Sequence, residues 1–165
     1  MDQFLNQIKM EEGKSSEESK TADVKSRMAV VHSRYASRKN TMRDNQAHPV
    51  FDEQQRVAVF HNGFVTNYKE LAIELYPHKD PSKSRLSDSE LIALKLGKLL
   101  DSGLDIKTAI QTLIETKLLG TWRMAIMLTA EPDKMYIAKN VGPCFMGKSS
   151  SSVVICSDPS ILTEQ

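Results

Sequence analysis

Asn62 and Gly63 offer the clearest chemistry in this sequence, because a side-chain amide and a glycine N–H are both hydrogen-bond donors. They follow the apolar run Val57–Phe60, which is typical of a buried strand, and we expect His61-Asn62-Gly63 to form the turn that ends it. Asn67 then suits the N-cap of a helix. Two donors fixed between a strand end and a helix start can hold a developing oxyanion, as acyl transfer requires.

The elements that must position these donors occur in blocks, with strands first, then helices, then strands again. Helices are predicted over 67–76, after the capping arrangement of Ser87 and Glu90, and over 105–118. Glu131-Pro132-Asp133 is predicted to be a hairpin turn. The predicted strands are Met28–Val31, Val57–Phe60, Trp122–Thr129, Met135–Lys139, Cys144–Gly147 and Val153–Cys156. Segregated blocks favour an α+β fold with antiparallel strands.

Composition excludes several classes of function. The 165 residues carry 22 Lys and Arg against 21 Asp and Glu, a net charge of +1, which argues against nucleic acid or an anionic membrane as partner. No apolar run is long enough to span a bilayer, and Met1–Asn6 lacks the pattern of a secretory signal. Cys144 and Cys156 do not make a disulfide framework. We expect a cytoplasmic protein without a metal site or cofactor.

A polar, Ser-rich stretch divides the chain into two parts. Residues 10–25 mix Glu, Lys and Ser without apolar periodicity, so residues 1–26 are predicted to form a partly disordered N-terminal segment. Residues 27–165 are then expected to form one domain, which is long enough to bury a core of its own.

Six short motifs resemble, in their order, those of the class II glutamine amidotransferases, whose domain is of the N-terminal-nucleophile hydrolase type. The motifs are His32-Ser33-Arg34-Tyr35-Ala36-Ser37, Asn45-Gln46-Ala47-His48-Pro49, His61-Asn62-Gly63, Ser87-Asp88-Ser89-Glu90, Gly120-Thr121-Trp122, and Gly142-Pro143 with Cys156-Ser157-Asp158. Within the family, Asn62–Leu71 and the His48-Pro49 pair resemble the glutamine–fructose-6-phosphate aminotransferases. Tyr35 alone favours the amidophosphoribosyltransferases, which stay an alternative.

The resemblance implies that six residues act on L-glutamine. They are Asn62, Gly63, Arg34, Ser37, His48 and Asp88. In the family, a cysteine thiolate attacks the side-chain amide of glutamine, ammonia leaves, and water hydrolyses the thioester. Asn62 and Gly63 would stabilise the oxyanion of that reaction. His61 is expected to pack or bond locally and to have no catalytic role.

The substrate-binding roles are implied in the same way. Arg34 would pair with the α-carboxylate of glutamine, where Ser37 would add a hydroxyl donor. Asp88 would take the α-ammonium group, and His48 would line the site. The residue types also allow simpler readings: Asp88 suits a helix start, and a histidine before a proline suits a loop.

The sequence departs from the family at the nucleophile. The family begins with an exposed cysteine, whereas this sequence begins Met1-Asp2. Cys144 and Cys156 lie in predicted late strands, and we expect both to be structural thiols. The chain as given is therefore expected to be inactive as a glutaminase. Two alternatives stay open: a truncated glutamine-hydrolysing domain, and a non-catalytic relative that binds glutamine or a protein partner.

The resemblance also implies a fold and partners. The expected fold is the four-layer αββα sandwich, without its N-terminal elements and truncated at both ends. A sugar-phosphate isomerase domain would accompany it in the full-length protein and would receive ammonia for transfer to a sugar phosphate such as fructose-6-phosphate. A sheet that lacks strands has an exposed edge, which predicts weak stability or a homodimer.

Overall fold

A five-stranded antiparallel sheet carries Asn62 and Gly63. The computed structural model describes residues 5–9, 28–33, 47–80, 86–116 and 118–162, with the backbone alone for Leu5–Lys9 and Thr116. The strands of these residues are β1 Leu5–Lys9, β2 Val50–Phe51, β3 Val57–Val65, β4 Gly120–Leu128, β5 Glu131–Lys139, β6 Phe145–Lys148 and β7 Val153–Cys156. The large sheet has the order β1-β5-β4-β3-β2, and β6 and β7 form a separate two-stranded sheet.

Three helices follow β3 before the chain returns to the sheet. They are α1 Tyr68–Leu75, α2 Asp88–Asp101 and α3 Ile106–Thr116, and a 3₁₀ helix covers Pro159–Leu162. The capping arrangement predicted before α2 is confirmed, because Ser87 Oγ accepts the Glu90 N–H while the Glu90 carboxylate accepts the Ser87 N–H. Among the described residues, no helix has both the length and the apolar character that a membrane crossing requires.

The core lies between the helices and one face of the sheet. Alternate side chains of β3 and β4 point toward the helices, as the two-residue period of a strand dictates. The largest fully buried side chains are Trp122, Tyr136, Leu71, Leu91, Ile92, Leu96, Ile110, Leu113, Ile126, Val57, Val59 and Val65. The α+β class with antiparallel strands is confirmed.

The predicted turn at His61-Asn62-Gly63 is wrong, because β3 continues through these residues to Val65. They pair in register with Trp122–Met124 of β4. Asn and Gly side by side favour a turn only when no partner strand is present. Here the partner lies about sixty residues away along the chain, and the sequence pattern of one strand does not reveal it.

The strand predicted at Met28–Val31 is also wrong. Residues 28–33 have no regular structure, and the Val31 side chain is 96% exposed. The two edge strands of the sheet are instead β1, which pairs with β5, and β2, which pairs with β3. Neither of these short strands was predicted. An apolar β-branched run becomes a strand only where a sheet edge accepts it.

The hairpin between β4 and β5 turns earlier than predicted. The turn is Thr129-Ala130, while Glu131-Pro132-Asp133 belongs to β5. The register between the two strands shifts next to Leu128, which lies opposite Glu131. Proline is tolerated beside such an irregularity because it cannot donate to a regular ladder. The end of this hairpin therefore contradicts the simple rule that a proline marks the turn.

Candidate functional site

Gly63 lies where β3 and β4 approach each other most closely. Its φ is +139°, and a Cβ at this position would lie 2.1 Å from the carbonyl oxygen of Thr121. No other residue type fits this space or favours this conformation. The glycine is therefore required by the pairing of two strands and not by a turn.

The backbone N–H of Gly63 points away from β4. Trp122, its partner in β4, directs both its backbone groups at Asn140: its carbonyl accepts the Asn140 N–H at 3.0 Å, and its N–H donates to Asn140 Oδ1 at 2.8 Å. The two groups of one residue point to the same side of an antiparallel ladder, so Gly63 and Trp122 form a non-hydrogen-bonded pair. On the other side of β3, β2 pairs only with Ala58 and Val59. The Gly63 N–H thus lies on an edge of β3 that no described strand covers.

Asp88 lies on the same edge of β3. Its Oδ2 accepts the backbone N–H of Val65 at 3.0 Å, and its Oδ1 accepts that of Ser89 at 2.9 Å. Gly63 and Val65 direct their N–H groups to the same side because they are two residues apart, or about 7 Å along the strand. A carboxylate has about four lone-pair positions, so Asp88 keeps acceptor capacity for a cation. A donor and an anion therefore line one strand edge.

Asn62 presents its side chain on the sheet face opposite the helices. It is exposed, and its Oδ1 accepts a hydrogen bond from Nη2 of Arg123, its cross-strand partner in β4. Arg123 Nη1 also donates to the carbonyl of Pro143 at 2.9 Å. Arg123 was not among the residues predicted to form the site. The alternation of β4 places it opposite Trp122 and Met124, but its pairing with Asn62 required the register.

His61, on the helix-facing side of β3, ties the strand to α2. Its ring is buried, and its Nδ1 lies 2.9 Å from Oγ of the buried Ser89. The prediction that His61 bonds locally is confirmed. Burial lowers the pKa of His61, nearby His32 lowers it further, and the charge of Asp88 opposes both effects. Burial thus favours the neutral imidazole beside the helix that carries Asp88.

The lowered pKa of His61 makes stability depend on pH. Below the ordinary histidine pKa of about 6.5, the unfolded chain takes up a proton that folded His61 resists, so the free energy of unfolding falls as the pH falls. We expect the urea midpoint to be lower at pH 5.5 than at pH 7.5. His61→Gln should flatten this difference, whereas His78→Gln, at an exposed position, should leave it intact. A midpoint of the wild-type chain that rises on acidification would contradict the prediction.

His48 is connected to β3 by two successive ring contacts. Its ring centroid is 4.4 Å from that of His32, which in turn is 6.5 Å from the ring of Phe60. Phe60 and Asn62 share a face of β3 because they are two residues apart. Ring packing therefore connects His48, through His32, to Phe60 of β3.

The remaining predictions from the sequence concern two substrate-binding residues, a helix cap, the two cysteines and metal binding. Arg34 and Ser37 lie outside the described residues. Asn67 precedes α1 as predicted, but its side chain makes no cap and Oδ1 accepts the Leu119 N–H at 2.9 Å instead. Cys144 and Cys156 are free and partly buried. No cluster of described residues could hold a metal ion.

Comparison with known proteins places this chain in a family. The model of the glutamine amidotransferase domain family matches residues 32–164. Glutamine–fructose-6-phosphate aminotransferase of Methanothermobacter thermautotrophicus is 32% identical over 94% of this chain and 26% of its own length. The enzymes of the same name from Streptococcus pneumoniae R6 and Bacillus licheniformis are 30% and 33% identical over 84% and 83% of the chain. The chain spans about a quarter of the length of these relatives. It belongs to the glutamine amidotransferase domain family.

Proposed function

We propose that this domain binds L-glutamine along the uncovered edge of β3 and stabilises the oxyanion formed when the side-chain amide of glutamine is hydrolysed to glutamate and ammonia. The observation that carries the proposal is the placement of the Gly63 N–H and the Asp88 carboxylate on one edge of a single strand. Membership of the glutamine amidotransferase family supports it.

The chemistry of this edge suits an amino acid with an amide at its far end. The Asp88 carboxylate, already fixed by two backbone N–H groups, is the acceptor for the α-ammonium group. The Gly63 N–H and the Asn62 carboxamide are donors for the amide oxygen as it becomes negative. In this proposal Arg34 and Ser37 hold the α-carboxylate and His48 lines the site. Fixed donors favour the transition state because they need no reorganisation when charge develops.

The names of the relatives extend the proposal beyond this chain. They are isomerising aminotransferases that use glutamine and fructose-6-phosphate. We infer that ammonia released here is passed to a sugar phosphate by an isomerase domain of the full-length protein, which acts in the cytoplasm. We further propose that residues 27–165 form the amidotransferase unit, within a four-layer αββα sandwich whose second sheet includes β6 and β7.

The 165 residues taken alone are proposed to bind glutamine without hydrolysing it. The resemblance implies an N-terminal cysteine as the family's nucleophile, and the two cysteines of these 165 residues are Cys144 and Cys156. Cys144 flanks β6 and Cys156 ends β7, and we assign neither a role in the reaction. Binding and turnover are therefore separate tests of the proposal.

Calorimetry with L-glutamine tests the binding half. We expect saturable binding by the 165-residue chain, weakened about tenfold or more by Asp88→Asn, because a charge-assisted contact is lost while the amide oxygen still accepts the Val65 N–H. Asp105→Asn is the matched control, since Asp105 also accepts backbone N–H groups at a helix start, that of α3. Equal affinity in all three proteins, or no binding at all, would contradict the proposal.

A glutamate assay on the wild-type chain and on Asn62→Ala tests whether the chain hydrolyses glutamine. We expect the wild-type chain to release no more glutamate than Asn62→Ala does. Release that Asn62→Ala abolishes would support the oxyanion site and would overturn the proposal that the chain alone is inactive.

A further inference from the structure

Arg123 makes contacts that the pairing of β3 with β4 does not require. Its guanidinium donates through Nη2 to Asn62 Oδ1 and through Nη1 to the Pro143 carbonyl. The side chain therefore joins the Asn62 carboxamide to the segment that follows β5. A residue needed only for the sheet would contribute its backbone and leave a long side chain in solvent.

The direction of this hydrogen bond fixes which end of the amide faces Arg123. A guanidinium has five N–H donors and no acceptor, so the atom it contacts must be the carbonyl oxygen of Asn62 and not the nitrogen. The NH₂ group is thereby left to donate elsewhere. The positive charge on the oxygen side also polarises the amide and makes its N–H groups stronger donors.

Neighbouring residues define the position of the Arg123 side chain. Gly142 packs against the guanidinium, and a Cβ at Gly142 would lie 3.1 Å from Arg123 Nη1. Asn140 bonds to both backbone groups of Trp122, the residue before Arg123, and its Nδ2 donates to the Gly120 carbonyl at 2.8 Å. Asn140 thus holds strand β4 directly before the point where the Arg123 side chain leaves it.

We propose that Arg123 is a positioning residue that orients the Asn62 carboxamide so that its NH₂ group donates to the substrate oxyanion. The inference rests on the proposed glutaminase site, and it assigns to a β4 residue the task of preparing a donor on β3. Arg123 need not touch the substrate for this. The segment Gly142-Pro143 supports the donor indirectly by holding the guanidinium.

Side-chain ¹⁵N relaxation of Asn62 in the unliganded 165-residue chain tests the proposal. The NH₂ signal is assigned by its loss in Asn62→Asp. We expect an order parameter of about 0.8 in the wild-type chain and below about 0.6 in Arg123→Gln. Arg123→Met, which also lacks the fork of donors, should give the same loss if Arg123→Gln does not fold. The backbone order parameters of Asn62 and Gly63 should not change, whereas loss of a merely structural role would lower them as well.

Lys139→Gln is the matched control. Lys139 lies opposite Arg123 in β5, and its Nζ donates to the Gly142 carbonyl at 3.2 Å, so the variant removes a neighbouring positive charge and keeps the Arg123 side chain. It should keep the Asn62 carboxamide ordered. An unchanged Asn62 NH₂ order parameter in folded Arg123 variants would overturn the inference. If the Arg123 variants lower the Asn62 NH₂ order parameter but the wild-type chain does not bind glutamine, the positioning role is supported. Only the proposed function is then contradicted.

Discussion

Gly63→Ala is expected to destabilise the protein by at least about 3 kcal/mol. Two costs combine at this position. The backbone has φ +139°, which residues with a side chain rarely adopt, and the new methyl would lie 2.1 Å from the Thr121 carbonyl oxygen. Backbone atoms cannot move aside as a flexible side chain can. Urea unfolding followed by circular dichroism measures the loss as a lower midpoint.

Gly103→Ala separates the two costs. Gly103 also has a positive φ, +89°, but a Cβ there would meet no atom within 4 Å. Its substitution should therefore cost only the conformational part, about 1 kcal/mol. If the two variants lose the same stability, close packing of β3 on β4 is not what requires the glycine.

Asp52→Ala is expected to cost about 3 kcal/mol. The Asp52 side chain is 1% exposed, and its Oδ1 accepts the backbone N–H groups of Arg56 and Val57, at 2.6 and 2.9 Å. Oδ2 accepts the Arg56 Nε at 3.0 Å. Alanine would leave these donors at the start of β3 without their acceptor. The loss should appear in the midpoint of chemical unfolding.

Asp101→Ala is the matched control for Asp52→Ala. Asp101 pairs with the same arginine, Nη1 to Oδ1 at 2.8 Å, but its side chain is 41% exposed. Exposed ion pairs add little to stability, so this variant should unfold almost as the wild-type chain does. Asp52→Asn, which keeps an oxygen acceptor, should fall between the two. Equal losses for Asp52→Ala and Asp101→Ala would show that the ion pair, and not the backbone contacts, stabilises this loop.

Local patterns predicted most of the elements. The helix after Asn67, the capping box at Ser87 and the strand Val153–Cys156 all depend on neighbours within a few residues, and all three are confirmed. The family was recognised from short motifs in order. What the sequence could not supply were pairings between distant segments, because strand register is set by contacts that no local pattern contains.

The candidate site also depends on contacts between distant segments that the sequence could not predict. The sequence identified Asn62 and Gly63 as donors but placed them in a turn, whereas the structure places them within β3. The approach of Asp88 to the N–H of Val65 joins residues 23 positions apart, and the contact of Arg123 with Asn62 joins residues 61 positions apart. Residue types therefore indicate hydrogen-bond donors and acceptors, and only the fold shows which strand edge presents them.

The most direct test of the glutamine site is a titration of the ¹⁵N-labelled 165-residue chain with L-glutamine, followed by two-dimensional NMR. The account predicts saturable shifts, with one common Kd, of the Gly63 backbone N–H and the Asn62 side-chain NH₂, and no such shift at Gly103 in the turn after α2. Saturable shifts elsewhere, with Gly63 and Asn62 unaffected, would contradict the assignment of the β3 edge as the binding site.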